Sequence, residues 1–435
     1  MFATDLQIAT RNLLRHTRRN LFLGAAIAGV TLLLVLLNGL AAGMERSILE
    51  SATTLMTGHV NVGGFFKITT GTAAPLVTDY DKVAAAVEKA VPELESWSVR
   101  GRGWGKLVSE TSSMDMVLAG VDVENEPRIQ QIIRVKEGRV EDLAQPDSIL
   151  LFEDQAKRLE VKVGDAITIS SPTARGVNNT VDVRVVAVAR NMGLLSSFNA
   201  FIPGETLRRL YQLAPTTTGA IHLYLSDPEA AGPVAARLRD VLAEQGWRVM
   251  DADPQAYWQK LMSSVPASDW TGQKIDVSTW EDEMQFMSWI LSSVQGLTFI
   301  LLAVLIAIVV IGILNTLAIA IRERTREIGT LRAIGMQRRK VLWLFMLESL
   351  LLGVAAAGGG ALLGVGIAAA LNAAAIAVPE EVQLFLLQQR LTLFVEPRSV
   401  LVAAAAIAGV TAVASFFPAL RAARLKPVTA MHHLG

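Results

Sequence analysis

Four stretches of this chain are long and apolar enough to cross a lipid bilayer: Leu21–Ala42, Met284–Ile321, Val341–Ala377 and Ser399–Leu420. They limit the fold more than any other feature. A spanning helix needs about 20 apolar residues, and in hydrocarbon its backbone polar groups must be satisfied within the helix itself. The bulk numbers agree, with 51% apolar residues and a mean hydropathy of +0.40, as a membrane protein requires. The run Leu21–Ala42 is too long for the core of a cleavable leader, although small residues (Ala41, Ala42, Gly43) close it, so it is expected to be retained. Cysteine is absent, which removes disulfides and thiolate metal sites.

Net charge is zero but unevenly spread. Between Met44 and Ser288 there are 24 Lys and Arg against 33 Asp and Glu; segments 1–20, 321–341 and 421–435 together hold 14 basic and three acidic residues. Lys and Arg in short loops are retained in the cytoplasm. Both termini and the 321–341 loop are therefore expected inside, and the 44–288 insertion outside. An acidic outer segment argues against nucleic-acid binding.

The expected fold class is an α-helical membrane domain of four transmembrane helices plus a large extracytoplasmic α+β domain with an inserted β-rich subdomain. In order, residues 1–20 form an amphipathic cytoplasmic helix with Leu6, Ala9, Leu13 and Leu14 on its apolar side, with a bare tail as the alternative. Residues 21–43 are the first span, 44–288 the outer domain, 289–320 the second span, 321–340 a cytoplasmic helix, 341–377 the third span, 378–398 an outer loop, 399–420 the fourth span and 421–435 the tail. Within the outer domain, His59–Val62, Leu159–Ile169, Val181–Val188 and Ile221–Leu225 alternate like strands. Asp79–Ala90 and Pro228–Gln245 have helical spacing, and Trp247–Met250 is expected to be a closing strand. Gly101, Gly103 and Gly105 look like turn glycines between strands in 97–121, and the β-rich insertion is expected at about 123–215. The polar stretch 251–283 carries Trp258, Trp270 and Trp280 as junction packing or interfacial anchors. In the third span Ala356, Gly360 and Gly364 are four residues apart, a spacing that lets helices approach closely.

Between the second and third spans, Ile328, Leu331 and Ile334 recur every three residues, which sets them along a short helix as an apolar ridge. Gly335 can cap its end. An ordinary basic loop obeying the inside-positive rule fits the same spacing. Polar residues within the spans are few: Asn38, Asn315, Glu348 and Asn372. Glu348 is expected near the inner interface, paired with Arg338 or Arg339. No G-x-x-x-x-G-K-[ST] loop for ATP phosphates occurs in the sequence, the five histidines are scattered, and no catalytic set emerges. Leu36, Leu40, Met44 and Ile48 on the first helix, with Met287, Ile290, Leu291 and Val294 on the second, could enclose an apolar cleft opening outward when contributed by each of two subunits; plain helix packing is the alternative.

The basic stretch Arg322–Met336, the run Glu348–Gly353, the tail Pro418–Ala430 and the start Ala9–Asn20 all resemble the permeases of the MacB/FtsX/LolC–LolE group of ABC transporters. The likeness covers both ends and the spans between them. It implies that the basic stretch is a coupling helix docking on an ATPase subunit through Arg324, Arg326, Glu327, Ile328, Leu331, Arg332 and Ile334. It implies no cofactor on this chain, with ATP and Mg on the partner ATPase. The implied partners are a dimeric cytoplasmic ABC ATPase, a second permease copy or paralogue, and a periplasmic carrier or adaptor. The implied location is the bacterial inner membrane. In the family the outer helix ends hold the dimer contact and, in lipoprotein-releasing members, acyl chains. Chain layout is closest to those members. Against them stands the short connection Ser171–Thr180, where the carrier-recruiting member has a long hairpin. A MacB-like peptide or drug exporter and an FtsX-like regulator of an envelope hydrolase are the rival implications.

Overall fold

The computed structural model describes residues 2–15, 17–69, 72–173, 176–192, 194–379 and 390–424. The chain divides into a helical unit (Met1–Arg46, Leu291–Val378, Gln388–Gly435) and a sheet unit (Ser47–Ile290, Pro379–Leu387).

The described residues of the sheet unit contain eleven strands: β1 (Val60–Thr69), β2 (Thr72–Ala74), β3 (Leu94–Val108), β4 (Ser113–Val121), β5 (Val135–Gly138), β6 (Ser148–Phe152), β7 (Ala166–Pro172), β8 (Asn178–Ala189), β9 (Asn199–Pro203), β10 (Ala220–Leu225) and β11 (Gly272–Thr279). Four of them pair antiparallel in the order β11-β1-β10-β3. Helices Tyr80–Ala90 and Ala231–Glu244 cover one face, burying Val83, Val87, Val234 and Leu238 against Val62, Ile221 and Val277. The chain order of strand, helix, two strands, helix, strand is a ferredoxin-like arrangement. An insertion separates its second strand, β3, from its third, β10.

That insertion is a closed barrel. Residues 101–108 of β3 pair with β4, and the ladder continues through β9, β6, β8 and β7 back to β3. Among the described residues closure leaves no long free edge. Ile167 and Ile169 of β7, Val183 and Val185 of β8, and Leu107 and Leu118 alternate into its core. Because β3 serves both sheets, the barrel reaches back to Gly101, earlier than the expected 123–215.

Gly101, Gly103 and Gly105 lie inside β3 rather than in turns. Helix Gly204–Tyr211 comes close over the first two, where a Cβ at Gly103 would stand 2.8 Å from the Tyr211 ring, and Gly105 faces Leu118 and Ile169 of the barrel. Leu159–Ile169 is not one strand: a helix ends at Leu159, Glu160 turns left-handed (φ 56°), and pairing starts at Ala166. Val249 makes only an isolated bridge, and the strand that closes the sheet is β11, within the stretch taken as polar junction. Its alternation is masked because its second face is also buried: Asp276 pairs with Lys260 at 3.0 Å, both nearly inaccessible.

Thr17–Leu55, Gln285–Glu323, Arg338–Ala374 and Pro397–Ala423 are each long and apolar enough to cross a membrane. Their shared core is built from Ile27 and Leu34, Val309 and Ile313, Ala357 and Ala361, and Ala403 and Ile407. Lipid offers no hydrophobic drive for helix association, so close packing of small residues must supply it. Gly360 lies against the backbone of Ala28, where an added Cβ would stand 2.7 Å from the Ala28 Cα; Gly364 faces Val35 and Gly353 faces Thr411. The four-residue spacing is thus used within the chain. The fourth helix runs past the expected Leu420 to Ala423 with Pro418 buried in it, which membrane helices tolerate. The N-terminal helix Phe2–Arg15 buries Asp5 and Ala9, whereas Leu6 and Leu14 are exposed. Asp5 faces inward because it pairs with Lys340 at 3.5 Å.

Two consequences are testable. Gly360→Val should lower stability by about 1–3 kcal/mol through overpacking. Gly359→Ala, which meets nothing within 4 Å, should change it by less than about 0.5 kcal/mol, both read by thermal unfolding in detergent. The second concerns pH. His222 is fully buried, neither ring nitrogen has a partner among the described residues, and burial, then the charges of Arg100 and Arg102, hold its pKa well below the usual 6.5. The unfolded chain binds a proton near pH 6.5 that the fold refuses. Stability of the sheet unit should therefore fall as pH drops below 6.5, by up to about 1.4 kcal/mol per pH unit from this group. His222→Leu should flatten that slope in tryptophan-fluorescence melts of the full chain without destabilising it at pH 7.5; an unchanged slope would remove His222 as its source.

Candidate functional site

The second apolar helix ends at Glu323, and a short helix, Thr325–Ala333, follows at once. The break is Arg324, whose backbone (φ −98°, ψ 8°) leaves the helical region. Its side chain points inward. Arg324 is only 6% exposed, and its Nη1 donates to Glu348 Oε2 at 3.0 Å and Oε1 at 3.3 Å. A buried guanidinium needs such a charge-assisted partner. Glu348 thus pairs with Arg324 rather than Arg338 or Arg339. Arg338 lies ten residues earlier on the same helix, about 15 Å along its axis at 1.5 Å per residue, beyond side-chain reach.

The other end of the short helix is anchored too. Arg332 Nη1 donates to the carbonyl of Ala423 at 2.8 Å, satisfying one of the carbonyls that a helix leaves unpaired at its C-terminus. Between the anchors, Ile328 packs with Val341, Phe345, Ala419 and Ala422. The short helix is therefore mounted at two points, on the third apolar helix by Arg324 and on the fourth by Arg332.

Its remaining face is open. Arg326, Glu327 and Thr330 are exposed, and Ile334 is 83% exposed; Gly335 follows in left-handed conformation. The expected single ridge of Ile328, Leu331 and Ile334 is corrected. A three-residue step falls 60° short of a full turn, so Ile328 and Ile334 diverge by about 120°, one inward and one outward. The side chain of Leu331 lies outside the described residues. Of the seven coupling candidates, Arg326, Glu327 and Ile334 face outward, while Arg324, Ile328 and Arg332 serve the mount.

Exposure varies among the cleft candidates. Met44 and Ile48 are buried, and Leu36, Leu40 and Val294 are half-buried. The side chains of Met287, Ile290 and Leu291 lie outside the described residues. A narrow crevice opens among the helices near their basic ends. Glu348, already tied to Arg324, is the one ionisable residue in its lining, beside Asn20, Thr316, Ser349 and Thr411. No cluster of three or more metal-ligating side chains occurs among the described residues.

Both anchors escaped sequence reasoning, although each left a signal. A lone carboxylate in an apolar helix demands a cation, and helix ends demand donors. Which cation and which donor depend on how the helices stack.

Residues 22–241, half of the chain, match the family described as the MacB-like periplasmic core domain, and residues 299–427 match the FtsX-like permease C-terminal family. Macrolide export ATP-binding/permease protein MacB of Agrobacterium fabrum is 27% identical over 56% of this chain and 33% of its own length. Pyoverdine export ATP-binding/permease protein PvdT of Pseudomonas syringae pv. tomato is 36% identical over 28% of this chain and 16% of its own. The chain thus spans a third or less of these relatives. Among solved structures, the extracellular domain of the noncanonic ABC-type transporter YknZ from Gram-positive bacteria is 12% identical. It covers 43% of this chain and 94% of that one, with a TM-score of 0.30. The periplasmic region of MacB from Actinobacillus actinomycetemcomitans is 17% identical over 43% and 85%, with a TM-score of 0.29. By its two family matches, which cover the strand-rich insertion and the helices that follow it, this chain belongs to the MacB/FtsX-like family of ABC transporter permeases.

Proposed function

We propose that this chain is a permease subunit that receives ATP-driven motion from a separate ABC ATPase and delivers it to the sheet unit on the outer side of the membrane. The two-point mount of Thr325–Ala333 is the observation that carries this reading. A helix fixed through Arg324–Glu348 and Arg332–Ala423, yet presenting Arg326, Glu327, Thr330 and Ile334, is a rigid handle with an apolar tip and flanking charges, the chemistry of a protein-binding hot spot. A pull on it passes to the third and fourth helices through charge-assisted bonds rather than being lost in a loose loop. ATP and Mg belong to the partner in this reading. The chain supplies no phosphate-binding loop and hydrolyses nothing, and both termini lie in the cytoplasm of an inner-membrane assembly with a second permease copy or paralogue.

Cargo in this proposal is an amphiphile, with lipid-anchored proteins as the first class to test. The core among the four helices is built of Leu, Ile, Val and Ala, which suits work at the outer face better than passage of a hydrophilic solute. One observation favours a second reading, MacB-like export of small amphiphiles. The connection from Pro172 to Asn178 is tight, closed by Thr173 N–H donating to the Val177 carbonyl at 2.8 Å, and leaves no long hairpin to recruit a lipoprotein carrier. Residues 174 and 175 lie outside the described residues.

Ile334→Asp should weaken capture of the partner ATPase by about 30-fold, the loss of a hot spot worth roughly 2 kcal/mol, while leaving the chain's own melting temperature unchanged. Glu348→Ala strands Arg324 and should lower stability by about 3 kcal/mol or more and cut ATPase stimulation with it. The assay is ATP turnover of the copurified complex with and without a triacylated lipopeptide or a macrolide. Stimulation by the lipopeptide supports lipoprotein release, and stimulation by the macrolide supports export. Capture of an envelope hydrolase with no response to either would replace transport by hydrolase control.

A further inference from the structure

The first apolar helix ends at Leu55, and β1 begins at Val60; β11 ends at Thr279, and Gln285 opens the second apolar helix. Val60 and Thr279 are cross-strand partners. The two long helices therefore join the sheet side by side. Backbone bonds hold this point: His59 N–H donates to Leu223, and Trp280 N–H donates to His59. Such bonds fix the strands but not the helix ends beyond them.

Two arginines of β3 reach those ends. Arg100 and Arg102 are two residues apart, so they project from the same face of the strand, and both are buried (2% and 9% exposed). Arg100 Nη2 donates to the carbonyl of Thr54, in the last turn of the first helix, at 3.3 Å and to Glu126 Oε2 at 2.5 Å. Arg102 pairs with Glu283 at 3.5 Å and lies over the Tyr257 ring at 3.9 Å. Glu283 sits just before the second helix and is itself held by Ser278 Oγ (2.7 Å) and Tyr257 N–H (3.1 Å). Arg100 is also the residue at which β3 passes from the ferredoxin-like sheet to the barrel. Its carbonyl accepts from Thr218 Oγ and Gly219 N–H, where the chain returns from the barrel to β10.

We infer that Arg100 and Arg102 are positioning residues that clamp the outer ends of both long helices to one strand, making helix ends, sheet and barrel move as a single body. The cost of burying two guanidinium groups is explained by what they join. Thr54 offers an orphan helix-end carbonyl, Glu283 a carboxylate on the approach to the second helix, and β3 is the one strand among the described residues that belongs to both sheets. If the helices carry motion outward, a rest on the transmission reading above, the clamp is where that motion enters the barrel.

The chain has no cysteine, so spin labels can be placed at will. Exposed Glu50 and Glu281 bracket the clamp; exposed Asp115 and Lys162 report on the barrel alone. In the full chain in detergent, Arg100→Gln and Arg102→Gln should widen the Glu50–Glu281 distance distribution about twofold as freed helix ends sample other states, with the Asp115–Lys162 distance unchanged. Arg100→Lys, which keeps the charge but not the fork, should give an intermediate width. Should Arg100→Gln fail to fold, Glu126→Gln tests the same bond more gently. A Glu50–Glu281 distribution unchanged in folded variants overturns the clamp. In the ATPase complex, the variants should keep basal turnover and lose about tenfold of the stimulation by triacylated lipopeptide. Full stimulation despite a widened distribution overturns the clamp's part in transmission. If the wild type shows no stimulation by lipopeptide or macrolide, the transport reading fails, and the distance measurement still decides the clamp.

Discussion

Pairing of β1 with β11 places Val60 opposite Thr279, and much of the sheet unit follows from it. A helix more than 30 residues long cannot bend back on itself, so the chain must leave the first long helix and reach the second through a structure that brings distant residues together. An antiparallel ladder does this with backbone bonds alone. The ferredoxin-like order β11-β1-β10-β3 puts the first and last strands side by side, leaving the middle strands free to carry an insertion. Gly58 makes the exit from the first helix possible. Its backbone is left-handed (φ 41°), and a Cβ there would stand 2.8 Å from the Leu223 nitrogen.

Burial of charge marks where this frame is joined to other parts. Arg100–Glu126, Arg102–Glu283 and Lys260–Asp276 lie in the sheet unit and Arg324–Glu348 in the helical unit, all nearly inaccessible. Such pairs add little net stability compared with apolar packing of similar volume. The value of the three arginine pairs is geometric, since a guanidinium fork accepts few arrangements. In both units an arginine ties a helix terminus to a neighbouring element: Arg100 at Thr54, Arg332 at Ala423. Elsewhere the helical unit relies on the opposite device, small residues such as Gly360 and Gly364 that let backbones touch.

Periodicity alone could not assign the faces of the short helix Thr325–Ala333. Ile328 and Ile334 are equally apolar, and only stacking on Val341, Phe345 and Ala422 turned one inward. The same limit hid β11 within the polar stretch 251–283. Asp276 is in fact buried against Lys260. It also hid the role of Gly101 and Gly103, since a glycine in a turn and a glycine under a close helix look identical in sequence.

The sequence by itself determined the four apolar helices, their loop charges, the α+β character of the insertion and the position of the basic helix between the second and third helices. Those follow from length, hydropathy and local period, which act along the chain. Tertiary structure alone decided which charges meet. Arg324 finds Glu348, Arg332 finds the Ala423 carbonyl, and Arg100 and Arg102 find Thr54 and Glu283. Each pair is separated by at least 24 residues. Its geometry depends on how elements stack in space, and the buried environment that makes each bond strong is itself a product of that stacking.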